Sequence, residues 1–268
     1  MQVIKASGEK EEFSEEKVKS SIERAGIPQE LQAHVLSHVK EKLYDNVKTS
    51  EIYHHIIEFL GNSSSPYSKA RYGLKQAIMA FGPTGYPFED FVSKIIETLG
   101  YQTKTRVTLQ GRCISHEIDI LGENRQNKKR IIVEAKFHNE AGIKTNIHVS
   151  LYTYARFQDI REKNNLDQVW LVTNTKITSD AIAYAVCMGM KVTSWDYPEG
   201  ESLRELIEQT GLIPITALTT LPKSNLDNLL SRGVVLCKDL HKNPEMLIGV
   251  PEDKKQAILE EAEFVCQI

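Results

Sequence analysis

The chain has 268 residues, of which 41% are hydrophobic, and a formal net charge of −3. This length is sufficient for two or three compact domains with ordinary cores. No segment approaches the ~18 consecutive apolar residues of a membrane span and the N-terminus lacks a signal-peptide core, so the pattern favours a cytoplasmic protein without membrane contact. The four cysteines form no C-x-x-C pair, which argues against a zinc ribbon and against a disulfide framework.

Residues 1–82 have the pattern of a small separate domain. A predicted β-hairpin consists of a strand, a turn and a return strand, at 2–5, Ser7-Gly8 and 11–13. Ser14 has the position of an N-cap, and the helix that it opens is closed by Gly26. Three further helices are predicted, over 29–44, 51–60 and 68–81.

Three segments of this domain read VIKASG, EEFSEEKV and VKTSEIYHHIIEFL, and together they resemble the ATP-cone of ribonucleotide reductases and their repressors. The resemblance covers nearly all of residues 1–82 and implies that ATP or dATP binds as an effector. Carried over by position, it implies five nucleotide-binding residues: Lys5, Glu11, Ser14, Lys17 and Thr49. Lysine ammonium groups and a helix N-terminus suit a triphosphate. The alternative is a small helical accessory domain that uses the same fold only for packing.

A short proline-containing junction at 82–85 separates this domain from the next helix. That helix is predicted from Gly85 to Leu99, because Phe88 and Ile95 lie on one apolar stripe. A second domain therefore begins close to residue 83.

Three strands follow this helix, and the last two carry acidic residues. The strands are predicted at 101–109, in ISHEIDIL at 114–121 and in IIVEAKFH at 131–138. The polar GENRQNKKR between the last two predicts a hairpin turn, and the near-continuous apolar run of the last strand predicts deep burial. Side chains two apart share a face of a strand, which puts Glu117 with Asp119 and Glu134 with Lys136.

These three carboxylates and one ammonium group would crowd a small patch. Like charges held that close are costly unless something neutralises them, and hard oxygen ligands favour a divalent cation such as Mg²⁺ or Mn²⁺. We therefore predict a metal site on this patch. The alternative is an ordinary edge-strand ion pair, because E-x-K between apolar residues is a common pattern.

The IDI and VEAK segments, joined by a short hairpin, resemble the PD-(D/E)xK nuclease superfamily, and the FE…LGY phrasing of the preceding helix resembles its Mrr branch. The resemblance implies a metal-dependent endodeoxyribonuclease in which Asp119 and Glu134 hold Mg²⁺ and Lys136 lies beside the attacking water. It also implies that Glu89, on the first helix, completes the catalytic site. The alternative for Glu89 is a solvated acid that complements the helix dipole.

Helices and strands continue to alternate beyond the hairpin, as in Mrr-like domains, and predict a restriction-endonuclease-like α/β/α core. The predicted elements are a helix, a buried strand, a second helix and a last strand, at 147–163, 169–174, 179–190 and 191–195. Arg156 and Gln158 on the first of these helices either reach toward the site or face solvent. We expect three nearby histidines to be hydrogen-bonded rather than ligands: His116, His138 and His148.

Basic residues are concentrated around the proposed site. Residues 104–136 hold 8 Lys and Arg against 4 Asp and Glu, which predicts a phosphate-binding face beside the carboxylates. The proposed DNA-binding residues are Lys104, Arg106, Arg112, Lys128, Lys129 and Arg130. The alternative is a solvated hairpin tip whose lysines serve solubility.

Residues 201–268 are predicted to form an all-α C-terminal module. Its LIGVP segment, leading into KKQAILEEA, loosely resembles a helix-hairpin-helix, whose hairpin presents backbone N–H groups to DNA phosphate. Pro251 removes one such donor, and acids outnumber bases by 11 to 7 in this module. A structural or dimerising module and a DNA clamp therefore remain as alternatives.

The sequence predicts a multi-domain α/β protein with domains at 1–82, 83–200 and 201–268. The first functional hypothesis is a Mg²⁺-dependent DNA endonuclease, homodimeric or larger, whose activity or assembly is set by ATP or dATP. The second is a non-catalytic nucleotide-sensing regulator that binds DNA, although the lack of a zinc ribbon counts against it. The third is a reductase fragment, against which the lack of paired radical-chemistry cysteines argues.

Overall fold

The structure is a computed structural model, and its main chain is described in five segments. These segments are 1–5, 8–25, 27–63, 68–140 and 142–266. The chain divides into two compact units, each assembled from separate parts of the sequence. The first unit comprises 1–77, 213–227 and 237–268, and the second comprises 78–212 and 228–236.

The first unit opens with a small sheet of three strands. They are β1 (Gln2–Ile4), β2 (Lys10–Glu12) and β3 (Val47–Lys48), in the order β2-β1-β3. The antiparallel pairing of β1 with β2 confirms the hairpin, whereas β3 runs parallel to β1 with Lys48 opposite Ile4. The sequence did not predict β3, because two residues are too few to display alternation. Ser7 of the predicted turn and Gly26, the predicted end of the first helix, lie outside the described residues.

Helices make up the rest of the N-terminal part. They are α1 (Glu15–Arg24), α2 (Gln29–Glu41), α3 (Thr49–Gly61), α4 (Ser68–Tyr72) and α5 (Leu74–Met79). The Ser14 hydroxyl accepts from the backbone N–H of Lys17 at 3.2 Å, which confirms the predicted N-cap. The single helix predicted over 68–81 is wrong: the chain divides at Gly73, a residue with poor helix propensity. The core contains fully buried aliphatic side chains, including Ile22, Val35, Ile56 and Leu60.

The second unit alternates helices and strands in the predicted order. Its elements are α6 (Tyr86–Thr98), β4 (Tyr101–Gln110), β5 (Ser115–Asn124), β6 (Arg130–Lys136), β7 (Lys144–Thr145), α7 (Ile147–Ile160), β8 (Gln168–Thr173), β9 (Lys176–Ile177), α8 (Ser179–Cys187), β10 (Lys191–Thr193) and α9 (Leu203–Thr210). Five strands form one sheet in the order β10-β8-β6-β5-β4. The two-residue strands β7 and β9, which the sequence did not predict, pair with each other in parallel.

The five-stranded sheet is mixed, and helices cover its centre. The strands β4, β5 and β6 are antiparallel, whereas β6, β8 and β10 are parallel. Helix α6 packs against β4, β5 and β6, and α7 packs against β8 and β5. In β6 the consecutive residues Ile131, Ile132 and Val133 are all buried, as expected of a strand that is covered on both faces. This is the layered α/β core that the sequence predicts.

The regular alternation of side chains is interrupted in the middle of β5. Ile118 and Leu121 both pack in the apolar cluster that contains Phe157 of α7, although residues three apart on a regular strand face opposite ways. The residue of β4 that lies level with Asp119 is Arg106, and its backbone is left-handed with a φ of 53°. Local distortions of strands re-aim side chains. Arg106 and Asp119 both lie at this distortion.

The C-terminal residues are helical, as predicted. The helices are α10 (Lys223–Ser231), α11 (Cys237–Lys242) and α12 (Glu252–Cys266), with two short 3-10 helices at Ile215–Ala217 and Pro244–Met246. In the first unit, α11 packs against α12. Glu261 of α12 is fully buried, and its carboxylate accepts from the backbone N–H and the hydroxyl of both Thr219 and Thr220 at 2.6–2.9 Å. None of the described helices combines the length and apolar character needed to cross a bilayer.

Candidate active site

Asp119 of β5 and Glu134 of β6 lie where these two strands separate. The ladder between the strands ends at the pair Ile120 and Val133. Immediately beyond it, Asp119 Oδ2 accepts a hydrogen bond from the backbone N–H of Ala135 at 2.8 Å. The Asp119 carboxylate therefore takes the place of a main-chain acceptor at this point. Asp119 and Glu134 are the residues directly beyond the last ladder pair, so both acids lie in the same gap between the strands.

Glu89 of α6 completes a group of three close carboxylates. It is only 8% exposed, so it is not the solvated helix acid of the alternative interpretation. Burial, and then the charge of Asp119, raise the pKa of Glu89 to about 7. The same two causes raise the pKa of Glu134 to about 7, with a further contribution from Glu89, and burial raises the pKa of Asp119. Carboxylates that repel one another in this way favour a bound cation.

Arg106 of β4 binds the acids of α6. Its guanidinium donates to Glu89 Oε2 at 3.1 Å and to Asp90 Oδ1 at 2.7 Å. The hydrogen bond between Ser93 of α6 and Thr103 of β4 puts the odd-numbered side chains of β4 toward α6, so regular alternation would turn Arg106 away. The left-handed backbone at Arg106 accounts for the reversal. A residue predicted to contact DNA is thus engaged with a site carboxylate.

Arg156 of α7 binds Glu134 from the side of α7. Its Nη1 donates to Glu134 Oε2 at 2.6 Å, and its Nη2 donates to the main-chain carbonyl of Glu117. Arg156 is buried, whereas Gln158 is exposed, so only the first of the two reaches the site. The burial of Arg156 could have been predicted from the helical period. Arg156 lies on the same face of α7 as Thr153, Phe157 and Ile160, which are all buried.

Lys136 follows Glu134 by two residues on β6 and is exposed. In contrast to the guanidinium groups of the two arginines, its ammonium group makes no hydrogen bond or ion pair within the part of the chain that the structure describes. Glu117 is also exposed, and its charge contributes to the raised pKa of Asp119, behind burial. An ammonium group at the edge of three carboxylates is thereby left free to meet a ligand.

Two of the three histidines, His116 and His138, make the side-chain hydrogen bonds that we expected. His116 Nε2 lies 3.0 Å from Asp159 Oδ2, and His138 Nε2 lies 3.2 Å from the Thr145 hydroxyl. Burial, and then the nearby Lys136, lower the pKa of His138. His148 is exposed in the first turn of α7.

The basic residues are spread over the second unit rather than gathered at the carboxylates. Lys104, Arg112, Lys128 and Lys129 are exposed, but the Arg130 guanidinium donates to the carbonyl of Asn164. The Lys128 ammonium lies 3.7 Å from a Glu123 oxygen. Arg130 begins β6 four residues before Glu134, which is about 13 Å along a strand. The hairpin tip is therefore separated from the acids by the length of β6.

The donor set fits a divalent cation of the Mg²⁺ type. Within the described residues, no group of three or more His, Cys, Asp or Glu side chains has the arrangement of a formed metal centre. Mg²⁺ does not require one, because it is usually held by one or two carboxylates together with waters and substrate phosphates. Asp119 and Glu134 supply two carboxylates from neighbouring strands, and Glu89 adds a third charge.

In the first unit, three of the predicted nucleotide-binding side chains form one ion-pair cluster. The Glu11 carboxylate lies 2.9 Å from the Lys5 ammonium and 2.8 Å from that of Lys17. Hydrogen bonds from Lys17 and then from Lys5 lower the pKa of the Glu11 carboxyl. The hydrogen bond to Glu11 in turn raises the pKa of the Lys5 ammonium group. Ser14 caps α1 beside this cluster. Thr49 begins α3 directly after β3, so the β1–β3 pairing puts it level with Lys5.

Three family descriptions match successive parts of the chain. An ATP cone domain matches residues 1–74, a restriction endonuclease domain of the Mrr type matches 83–206, and an AF1548-like C-terminal domain matches 213–266. The predicted order of an ATP-cone, an Mrr-like domain and a helical C-terminal domain is thereby confirmed.

The similar proteins define the family. An uncharacterized protein of Archaeoglobus fulgidus is 40% identical over 177 residues, which are 65% of this chain and 99% of that protein. A crystal structure of a protein of unknown function, AF1548, superposes with a TM-score of 0.60 at 38% identity, over 69% of this chain and 99% of that one. A repair endonuclease from Pyrococcus abyssi gives a TM-score of only 0.33 at 12% identity, over 41% of this chain and 46% of that one. The chain belongs to the AF1548-like family.

Proposed function

We propose that this protein is a divalent-metal-dependent DNA endonuclease whose activity ATP or dATP regulates. The observation that carries the proposal is the convergence of Glu89, Asp119 and Glu134 beside Lys136, whose ammonium group has no partner among the described residues, in a restriction-endonuclease-type domain. Three acids that repel one another would be costly to keep together without a ligand that uses their charge.

Each side chain has a separate task in this proposal. Asp119 and Glu134 would hold a Mg²⁺ or Mn²⁺ ion, with Glu89 as a further oxygen donor. Such an ion supplies a water of lowered pKa and neutralises charge on the phosphodiester. Lys136 orients the attacking water and stabilises the negative charge that develops on the phosphate. Arg156 and Arg106 keep two of the carboxylates in place.

Plasmid cleavage in the presence of Mg²⁺ or Mn²⁺ tests the catalytic part. We expect the wild type to cleave and the Asp119→Asn and Glu134→Gln variants to lose cleavage while they remain folded. A wild type that binds DNA with either ion, yet never cuts, would favour the non-catalytic nucleotide-sensing regulator instead. Glu97→Gln is a suitable control, because this acid of α6 interacts with Lys94 and Thr103 rather than with the site.

The regulatory part rests on the cluster of Lys5, Glu11 and Lys17 next to the N-terminus of α1. Two ammonium groups and a helix N-terminus are the chemistry that a triphosphate needs. A nucleotide changes activity only if it binds two states of the protein with different affinity, and a tenfold difference, about 1.4 kcal/mol, is sufficient. We propose that the two states are assemblies of this chain, a homodimer or a larger oligomer, because cutting both strands requires two sites.

Sedimentation and plasmid cleavage, measured side by side with ATP, with dATP and with neither, test this regulation. We expect one of the nucleotides to change both the assembly and the rate of cleavage, and Lys5→Ala to remove both effects. If a nucleotide binds tightly while assembly and cleavage stay constant, the N-terminal domain is not a regulator.

A further inference from the structure

Two exposed tyrosines contact the two arginines of the candidate active site. The Cζ atom of Arg106 lies 5.4 Å from the centroid of the Tyr86 ring. The Cζ atom of Arg156 lies 5.2 Å from the centroid of the Tyr152 ring. The same guanidinium groups bind site carboxylates at 3.1 Å and 2.6 Å. Each ring is therefore separated from a site carboxylate by one arginine side chain. Tyr86 of α6 is connected through Arg106 of β4, and Tyr152 of α7 through Arg156 of the same helix.

The exposure of these rings is unusual within the described residues. Tyr86 is 55% exposed and Tyr152 is 60% exposed, and Tyr44 is the remaining tyrosine in the described segments with a comparable value. Burial of an aromatic ring is among the largest favourable free-energy contributions that a side chain can make to folding or binding. Two rings that remain in solvent beside one site thus have surface available for a ligand.

The arginines also fix where the rings stand. Each guanidinium is held by its hydrogen bond to a carboxylate and its Cζ also lies over the tyrosine ring, so a cation–π contact restricts the ring. A ring that is already ordered loses less conformational freedom when a ligand binds to it. The arrangement is that of a preformed flat apolar surface beside a charged centre.

Resting on the proposed nuclease function, we infer that Tyr86 and Tyr152 stack on unpaired bases next to the scissile phosphate. Every base offers a π-face, and aromatic side chains in single-strand binding sites use it without regard to sequence. In an intact duplex those faces are covered by neighbouring bases, and they become available only where the stack opens. The preferred substrate is therefore single-stranded DNA, or an unpaired stretch within a duplex.

Fluorescence anisotropy in EDTA tests the inference, because DNA binding is then measured without cleavage. Labelled oligo-dT and a blunt duplex are the two probes. We expect Tyr86→Ala and Tyr152→Ala each to weaken binding of oligo-dT by roughly 5- to 150-fold, the range for loss of one stacked base, and to leave the duplex little changed. The Tyr86→Phe and Tyr152→Phe variants keep the ring and should bind oligo-dT like the wild type.

Tyr44→Ala is the matched control, since this ring is 53% exposed and its hydroxyl bonds to Glu51 at 2.7 Å. Equal losses for duplex and oligo-dT, no loss for either, or a loss in the Phe variants would overturn the stacking inference.

Cleavage assays on the same probes distinguish a failure of the stacking inference from a failure of the proposed nuclease function. A wild type that cuts duplex and single strand alike contradicts stacking alone, whereas one that cuts no DNA contradicts the nuclease function as well.

Discussion

Arg156 holds Glu134 through a contact of 2.6 Å between Nη1 and Oε2, with the two side chains only 10% and 18% exposed. The guanidinium neutralises one of three neighbouring carboxylates and at the same time ties α7 to β6. The contribution of this ion pair to stability can be tested by substitution, because removing the partner acid as well should restore the stability that is lost with the arginine alone.

We expect Arg156→Met to lower the free energy of unfolding by about 3 kcal/mol, because an acid is left buried without its cation. Urea denaturation followed by circular dichroism measures this loss. In the double variant Arg156→Met with Glu134→Gln, most of the stability should return, although cleavage stays absent because the proposed metal ligand Glu134 is gone. If the double variant is as unstable as the single one, the ion pair is not the cause.

Lys136→Ala should reduce cleavage about 10²- to 10³-fold, because the variant lacks a charge that stabilises the transition state. The free energy of unfolding and the affinity for DNA should change little, since Lys136 is exposed and makes no ion pair within the described residues. Lys144→Ala, at an exposed lysine of β7, is the matched control. A parallel loss of DNA binding would assign Lys136 to holding the substrate instead.

Lys5→Ala should weaken ATP and dATP binding about tenfold or more, because a charged hydrogen-bond donor to phosphate is removed. Isothermal titration calorimetry measures the affinity. Lys19→Ala serves as the control, because that lysine pairs with Glu15 rather than with the cluster at Glu11. Similar losses for both variants would mean that the lysines act through net charge and not through a site.

The hairpin tip can be tested by the salt dependence of DNA binding. Each phosphate contact contributes a slope of ~0.9 in a plot of log K against log salt concentration, so Lys128→Gln with Lys129→Gln should flatten the slope by up to ~1.8. Arg130→Gln should instead lower the unfolding midpoint, because its guanidinium donates to the Asn164 carbonyl. An unchanged slope in the double variant would assign both lysines to solubility.

Glu261→Ala should destabilise the first unit by about 2–4 kcal/mol, because it leaves the N–H and hydroxyl groups of Thr219 and Thr220 without their acceptor. Thermal unfolding measures the loss. Glu263→Ala, at an exposed acid of the same helix, should have almost no effect. Equal effects of the two substitutions would indicate a change in helix charge rather than a lost anchor.

Local sequence was sufficient for the elements and for the acids on the central hairpin. The cap at Ser14, the helix that begins after Gly85 and the strands that carry Asp119 and Glu134 all follow from residue type and period. Helix caps and the spacing of apolar residues depend only on residues a few positions apart in the sequence, so they can be recognised without knowing the fold. The same reasoning failed at Gly73, where a single residue divides a predicted helix, and at β3, which is too short for a period.

Only the tertiary structure decided which cations meet the acids. Arg156 is 22 residues from Glu134, and Arg106 is 17 residues from Glu89. The first contact depends on how α7 packs on the sheet, and the second on a left-handed residue that reverses the face of β4. A strand pattern assigns faces by strict alternation, so a single backbone distortion moves a side chain to the other face without leaving a trace in the hydrophobic period.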